Sequence, residues 1–253
     1  MWRRGVQAVR PTVASMYGTV VRTKTTWRAG GQGQRSMPAA EIFGTGLGLI
    51  AGVGLGAGLC VACDTATTSV EPITKIAFPT SSGRFQLLGH GCRKKYGLFS
   101  VYAVGLFVDR DDAKACQQFS LPDIQAGHVA ARLELAFART VDQATMIEAL
   151  ADSVAPRLPT GDEAAAAELQ ELSAALLQVS QGQSFAVHSR LCFDWEPRRD
   201  LLVIGLEGGL PVTIKAPRVA RALFDVYLDE QAVSADAKAS FQQGIEQMFA
   251  HPQ

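Results

Sequence analysis

Histidine is scarce in this 253-residue chain, and so are the signatures of the common catalytic sites. The four histidines, His90, His128, His188 and His251, have no ligand-like spacing, so the sequence displays no metal centre. A phosphate-binding G-x-x-x-x-G-K-S/T loop, a G-x-S-x-G elbow and an H-E-x-x-H helix are all missing. Their absence removes the simplest nucleotide-hydrolase, serine-hydrolase and zinc-protease readings. The run Gly89-His90-Gly91-Cys92-Arg93 has the glycines of a phosphate loop but leads into a strand, with no helix N-terminus to cradle an anion. Cations do not gather with aromatics into a groove, so no nucleic-acid partner is expected. Cysteine is used five times. Cys60 and Cys63 form a C-x-x-C, but no second pair and no following His completes a metal or haem-attachment motif. They read as small residues closing an apolar run, and Cys92, Cys116 and Cys192 as buried hydrophobes.

Acidic residues are absent before Glu41. Residues 1–40 carry Arg3, Arg4, Arg10, Arg22, Lys24, Arg28 and Arg35, a charge of +7. Residues 41–253 hold the other 17 basic and all 24 acidic residues, so they carry −7, and the formal charge of zero is a cancellation. An Arg-rich, hydroxyl-bearing, acid-free leader predicts an organelle transit peptide over 1–40. The spread of the cations argues against a nucleic-acid-binding arm. Arg3 and Arg4, with apolar residues between the cations, favour a mitochondrion over a plastid.

Charge of either sign is absent from 42–63, IFGTGLGLIAGVGLGAGLCVAC. As a helix these 22 residues would extend about 33 Å, enough to cross a bilayer core. Gly44, Gly48, Gly52 and Gly56 recur every fourth residue, on one helix face suited to a close membrane dimer. The segment is expected to be a transmembrane helix or a second sorting signal cut after import. With basic residues before the span, the charge rule places the main domain across an inner membrane, facing the intermembrane space.

The full chain is 47% hydrophobic, enough for a core. Strands are expected over 73–79, 84–92, 97–108, 129–138, 184–194, 200–206 and 210–215, from β-branched and aromatic richness in 97–108, alternation in 129–138 and hairpin turns among the last three. Helical spacing and caps predict helices over 111–119, 142–154, 161–179, 217–228 and 234–249, with a loop over 120–128. Strands and helices come in groups, which favours α+β for a domain spanning 71–250.

One stretch is more specific. Leu87-Leu88-Gly89-His90-Gly91-Cys92-Arg93 followed by Ser100-Val101-Tyr102-Ala103-Val104-Gly105-Leu106-Phe107-Val108 resembles the chalcone isomerase-like superfamily, whose G-x-G-x-R strand precedes such a strand. Leu135 to Arg139, Glu148-Ala149-Leu150, Gly182 to Phe185, Ala222 to Leu228 and Val233-Ser234 follow in the family's order. The resemblance implies an open-faced β-sandwich, a curved antiparallel sheet covered by a layer of helices, with a ligand cleft between them. In plant chalcone isomerases the motif Arg helps bind substrate, with Thr, Tyr, Lys and Asn orienting it; in plastid fatty-acid-binding members the Arg and a Tyr hold a carboxylate. Arg93 matches that Arg. Tyr102 stands at the catalytic Thr position, and Thr145 or Met146 stands near the Tyr position, with no Tyr, Lys or Asn in 142–149. The resemblance therefore implies a non-catalytic binder of a fatty acid or other amphiphile, with Arg93, Tyr102, Thr145 and Met146 as ligand-binding candidates. The alternatives are an intramolecular lyase of the chalcone–flavanone isomerase type, and a membrane-tethered scaffold. The leader and glycine-striped segment also resemble fungal mitochondrial members that are haemoproteins, which makes haem a candidate ligand, with His90 or His188 as axial ligands.

Overall fold

A computed structural model describes residues 67–95, 99–116 and 118–250. The segments expected as transit peptide and transmembrane helix, with the glycine face proposed for a dimer, lie outside the described residues. Among the described residues no helix is long and apolar enough to cross a membrane.

Seven antiparallel strands form one sheet in strictly sequential order. They are β3 (Ser81–Ser82), β4 (Phe85–Lys95), β5 (Phe99–Asp109), β6 (Ala131–Phe137), β7 (Arg190–Glu196), β8 (Leu201–Leu206) and β9 (Val212–Ile214). A separate hairpin of β1 (Thr68–Val70) and β2 (Ala77–Pro79) precedes them. Two register irregularities in β4, between Leu87 and Gly89 and between Arg93 and Lys94, bend the strand.

The period of two along β5 and β6 sorts side chains between the faces. Tyr102, Val104, Leu106, Val108, Leu133, Leu135 and Phe137 point to the face covered by helices. That layer comprises α3 (Gln143–Val154), α4 (Glu163–Ser180), α5 (Pro217–Leu228) and α6 (Ala235–Ala250). Helix α5 is its centre, with eight of its twelve residues buried, and Phe224 meets Trp195 at 5.2 Å between ring centroids. Asp162 caps α4 by accepting from Ala164 N and Ala165 N.

The opposite face is polar over β6 and β7 and apolar under the β1–β2 hairpin. Phe78 of that hairpin is fully buried with Phe85, Ala103, Phe107 and Ala136. Beside them Arg132 grips Asp194 bidentately, at 2.5 and 2.7 Å, while Arg190 pairs with the buried Glu134 and donates to the Ala77 carbonyl at 2.6 Å. This ionic layer ties the hairpin to the sheet.

Four expected elements differ. The strand over 73–79 is a turn and a short β2, because the buried Glu71 carboxylate accepts from Ile73 N, Thr74 N and Thr74 Oγ1 and closes the chain on itself. The loop over 120–128 contains the short helix α2 (Leu121–Gln125), with Ser120 and Asp123 as its capping box and Pro122 in the first turn, where no N–H is needed. The strand over 184–194 begins only at Arg190, since Ser189 N and Oγ both bond back to the Ala186 carbonyl and His188 has φ +68°. The helix expected over 111–119 ends earlier: α1 spans Arg110–Ala115, with Asp109 as its cap.

Candidate functional site

The G-x-G-x-R pattern acquires a mechanical meaning on β4. Gly89, Gly91 and Arg93 stand opposite Leu106, Val104 and Tyr102, so all three face the helix layer. Helix α6 lies directly on the two glycines. A Cβ on Gly91 would stand 2.5 Å from Ala237 Cα, one on Gly89 2.7 Å from the Ser240 carbonyl oxygen, and one on Gly244 1.7 Å from the Leu88 carbonyl oxygen. The absence of side chains at these points lets backbone touch backbone.

This close approach fixes the next inward position. Ser234 Oγ donates to the Cys92 carbonyl at 3.0 Å and accepts from Ala237 N, starting α6 against the strand. Arg93 Nη1 donates to the Val233 carbonyl at 2.9 Å. The guanidinium is thereby held beside Tyr102, its partner across the strands.

Tyr102 does not stand alone. Its hydroxyl lies 2.8 Å from that of Tyr227, delivered by the buried helix α5. Tyr102 is 7% exposed and Tyr227 1%. Burial pushes both phenols above their ordinary range; the shared hydrogen bond and Arg93 oppose the shift at Tyr102, and Tyr227 is raised the further. Both are therefore neutral hydroxyls at physiological pH. One bond joins them, so whichever hydroxyl donates, the other keeps a proton to give. With the further N–H groups of Arg93 the cluster is rich in donors and cationic, which suits an anionic acceptor. Phe137 meets Tyr102 edge-on at 6.1 Å and stacks on Phe185 at 5.0 Å, so an apolar aromatic row leads away from the polar group.

The other expected site residues divide. Met146 is buried in the same core. Thr145 is exposed on the first turn of α3, where its N–H and hydroxyl both donate to the capping Asp142. The structure thus does not bring Thr145 to the buried hydroxyl pair. Tyr227 was legible only as part of a C-terminal pattern; its role comes from the placement of α5 over β5.

The two histidines do not fit haem. His90 points to the sheet's other face, stacked on Phe78 at 5.8 Å, with Nε2 bonded to Ser69 Oγ at 2.8 Å. Its Nδ1 is buried without a partner, and burial lowers its pKa. His188 is exposed in the turn before β7, not in a strand. Among the described residues no group of three or more His, Cys, Asp or Glu could hold a metal ion.

Two surface depressions lie elsewhere. One of about 1130 Å³ runs beside α1 and the end of α6, and another of about 390 Å³ adjoins it near Phe119 and Phe249; neither is lined by Arg93, Tyr102 or Tyr227. The hydroxyl pair is therefore a packed cluster within the sheet–helix interface.

Comparison with known proteins agrees with this architecture. A fatty-acid binding protein of Arabidopsis thaliana, solved by crystallography, is similar over 73% of this chain and 100% of its own, with 21% identity and a TM-score of 0.63. No curated protein matches the chain. Residues 72–241, well over half the chain, match the family described as chalcone isomerase-like. With its curved antiparallel sheet, its helix layer and this match, the chain belongs to the chalcone isomerase-like family.

Proposed function

We propose that this protein binds a fatty acid or similar anionic amphiphile without turning it over. The observation that carries this reading is the buried Tyr102–Tyr227 hydroxyl pair beside Arg93. A carboxylate placed there would take one hydroxyl on each oxygen and the Arg93 charge between them. The acyl chain would lie along Phe137, Phe185 and Met146, between sheet and helices, with α3 and α5 moving apart to admit it. The likeness to a fatty-acid binding protein supports the choice of ligand class.

Chalcone cyclisation would need a phenolate nucleophile and an electrophile over the ketone. The two neutral phenols and Arg93 supply hydrogen bonds, and no Lys or Asn stands in 142–149 to complete the plant enzyme's set. The test is calorimetric titration of the full chain with a long-chain fatty acid and with the alcohol of the same chain length, alongside a chalcone turnover assay. Binding of the acid alone supports the proposal. Equal binding of acid and alcohol, or turnover abolished by Arg93→Ala, overturns it.

The acid-free leader supports import into a mitochondrion or plastid, and the uncharged run 42–63 supports retention at a membrane. Mass spectrometry of the mature N-terminus from isolated organelles tests both: a start before residue 42 keeps the anchor, and a start near 64–70 removes it.

A further inference from the structure

The β1–β2 hairpin lies as a strap on the sheet face away from the helices. Its Phe78 sits over Gly105 of β5, where an added Cβ would stand 2.8 Å from the phenyl ring. His90 of β4 stacks on that ring at 5.8 Å between centroids, and the Arg190 guanidinium lies 5.4 Å from its centroid. Two polar links fasten the strap. His90 Nε2 bonds Ser69 Oγ at 2.8 Å, and Arg190 Nη2 donates to the Ala77 carbonyl at 2.6 Å. The second ring nitrogen, His90 Nδ1, is buried without a partner. The charged and titratable groups around the ring do not supply one. On the hairpin turn, Lys75 is exposed, and the buried Glu71 carboxylate accepts from Ile73 N, Thr74 N and Thr74 Oγ1. Strand β2 brings no charged group, Cys92 and Lys94 follow on β4 itself, and β5 presents Ala103, Gly105 and Phe107. Beyond β5, Glu134 is held by Arg190, with Cys192 beside it. Helix α6 meets His90 through Ser240 Oγ, which accepts from the His90 backbone N–H at 3.2 Å.

A neutral ring tolerates this setting. It can donate Nε2–H to Ser69 Oγ and leave Nδ1 as a bare acceptor. Protonation puts an N–H and a charge at Nδ1, against Phe78 and away from water, with no acceptor to receive them. Burial accordingly lowers the His90 pKa from 6.5, while the Glu71 charge opposes the shift. Lifting the hairpin returns the ring to water, and a two-stranded hairpin without a sheet to lie on is marginal at best, so it frays as it lifts. We propose that His90 is a proton-operated latch: the neutral ring holds the β1–β2 hairpin on the sheet, and the imidazolium releases it while the helix layer stays folded. Release uncovers the apolar patch of Phe85, Ala103, Phe107 and Ala136 that Phe78 now covers. The latch lies on the face opposite Tyr102 and Tyr227, so it is independent of what that pair binds.

The test is amide exchange of the full chain at about pH 7.5 and about pH 5.5, each rate divided by its intrinsic chemical rate to give an opening ratio. The hairpin reporters are Glu71 N and Thr80 N, bonded to the Ile76 and Thr67 carbonyls at 2.9 and 2.8 Å. The reference amides are those of Phe224 and Tyr227 in the buried helix α5. An imidazole that stays neutral while covered and regains its ordinary pKa when released raises the opening ratio by at most ~10-fold over this range. The expected result is a several-fold rise toward that ceiling at Glu71 and Thr80, without a matching rise in α5. His90→Gln should flatten it. Ser69→Asp, which gives the imidazolium a carboxylate partner, should invert it, so that the hairpin opens less in acid. An opening ratio independent of pH, or an equal rise in α5, overturns the proposal. So does the wild-type pH dependence persisting in His90→Gln or in Ser69→Asp.

Discussion

Replacing Gly91 by Ala tests the link between fold and site. The new Cβ would stand 2.5 Å from both Ala237 Cα and Cβ and 2.8 Å from Ala237 N. Most of those atoms are backbone of α6, so no side-chain rotation relieves the contact. Overpacking of this kind costs ~1–3 kcal/mol. In a domain of this size each kcal/mol lowers Tm by about 2–4 °C, which predicts a fall of about 2–12 °C. The helix must move away from β4, and Val233 and Ser234 at its start move with it. The Arg93–Val233 bond is then weakened, so affinity for a fatty acid should fall together with stability. Gly205 is the control. It is also a strand glycine, but an added Cβ there meets only Pro211 Cβ at 4.0 Å. Gly205→Ala should be neutral or stabilising by up to ~1 kcal/mol, since Ala loses less backbone freedom on folding. Thermal unfolding followed by circular dichroism measures both. Equal Tm values for Gly91→Ala and Gly205→Ala would refute the claim that the motif glycines are docking points for α6.

Other outcomes follow from the same geometry. Tyr227→Phe should cost ~1–3 kcal/mol in urea denaturation by depriving a buried hydroxyl of its partner, and adding Tyr102→Phe should recover much of that loss; strict additivity would contradict the pair. Arg190→Met strands the buried Glu134 carboxylate and should cost close to ~3 kcal/mol, the lower end for such pairs because the guanidinium is 28% exposed; a cost under ~0.5 kcal/mol would deny the outer ionic layer a structural role. The His90 pKa is lowered from 6.5 on folding, so the unfolded chain binds the extra proton and stability falls as pH drops through that range. His90→Gln should lose less stability than the wild type between neutral and mildly acid pH, and parallel curves would refute it. Burial and the neighbouring Glu134 push the Cys192 thiol up to about 12, so iodoacetamide at mildly alkaline pH should label Cys116 well before Cys192 in the native chain, as peptide mapping would show.

Much of the architecture was legible because it rests on local signals. β5 is a run rich in β-branched and aromatic residues, and α3 and α4 announce themselves through Asp142 and Asp162. The elements that escaped depend on single side chains competing for backbone. Glu71 bonds Ile73 and Thr74 and turns a β-like sequence, while Ser120 with Asp123 starts a helix that Pro122 had marked as loop. The site was half legible. Arg93 and Tyr102 belong to one hairpin, so strand register alone joins them. Tyr227 comes from a helix 125 residues away, and only the packing of α5 over the sheet reveals it. Thr145 is adjacent in sequence to the buried Met146, but one residue is about 100° around a helix, which turns it to solvent. The glycines were read as a family pattern. Their reason, the lie of α6 on β4, exists only in three dimensions.

The central claim is that Arg93 and the tyrosine pair hold an anionic head group. The most direct measurement is the affinity of a long-chain fatty acid for the full chain and for Arg93→Met, with circular dichroism confirming an intact fold. The account predicts saturable binding to the wild type and a loss of at least tenfold in the variant, as expected for removing a charge-assisted bond worth ~1.5–3 kcal/mol. Unchanged affinity in a folded Arg93→Met protein would contradict it.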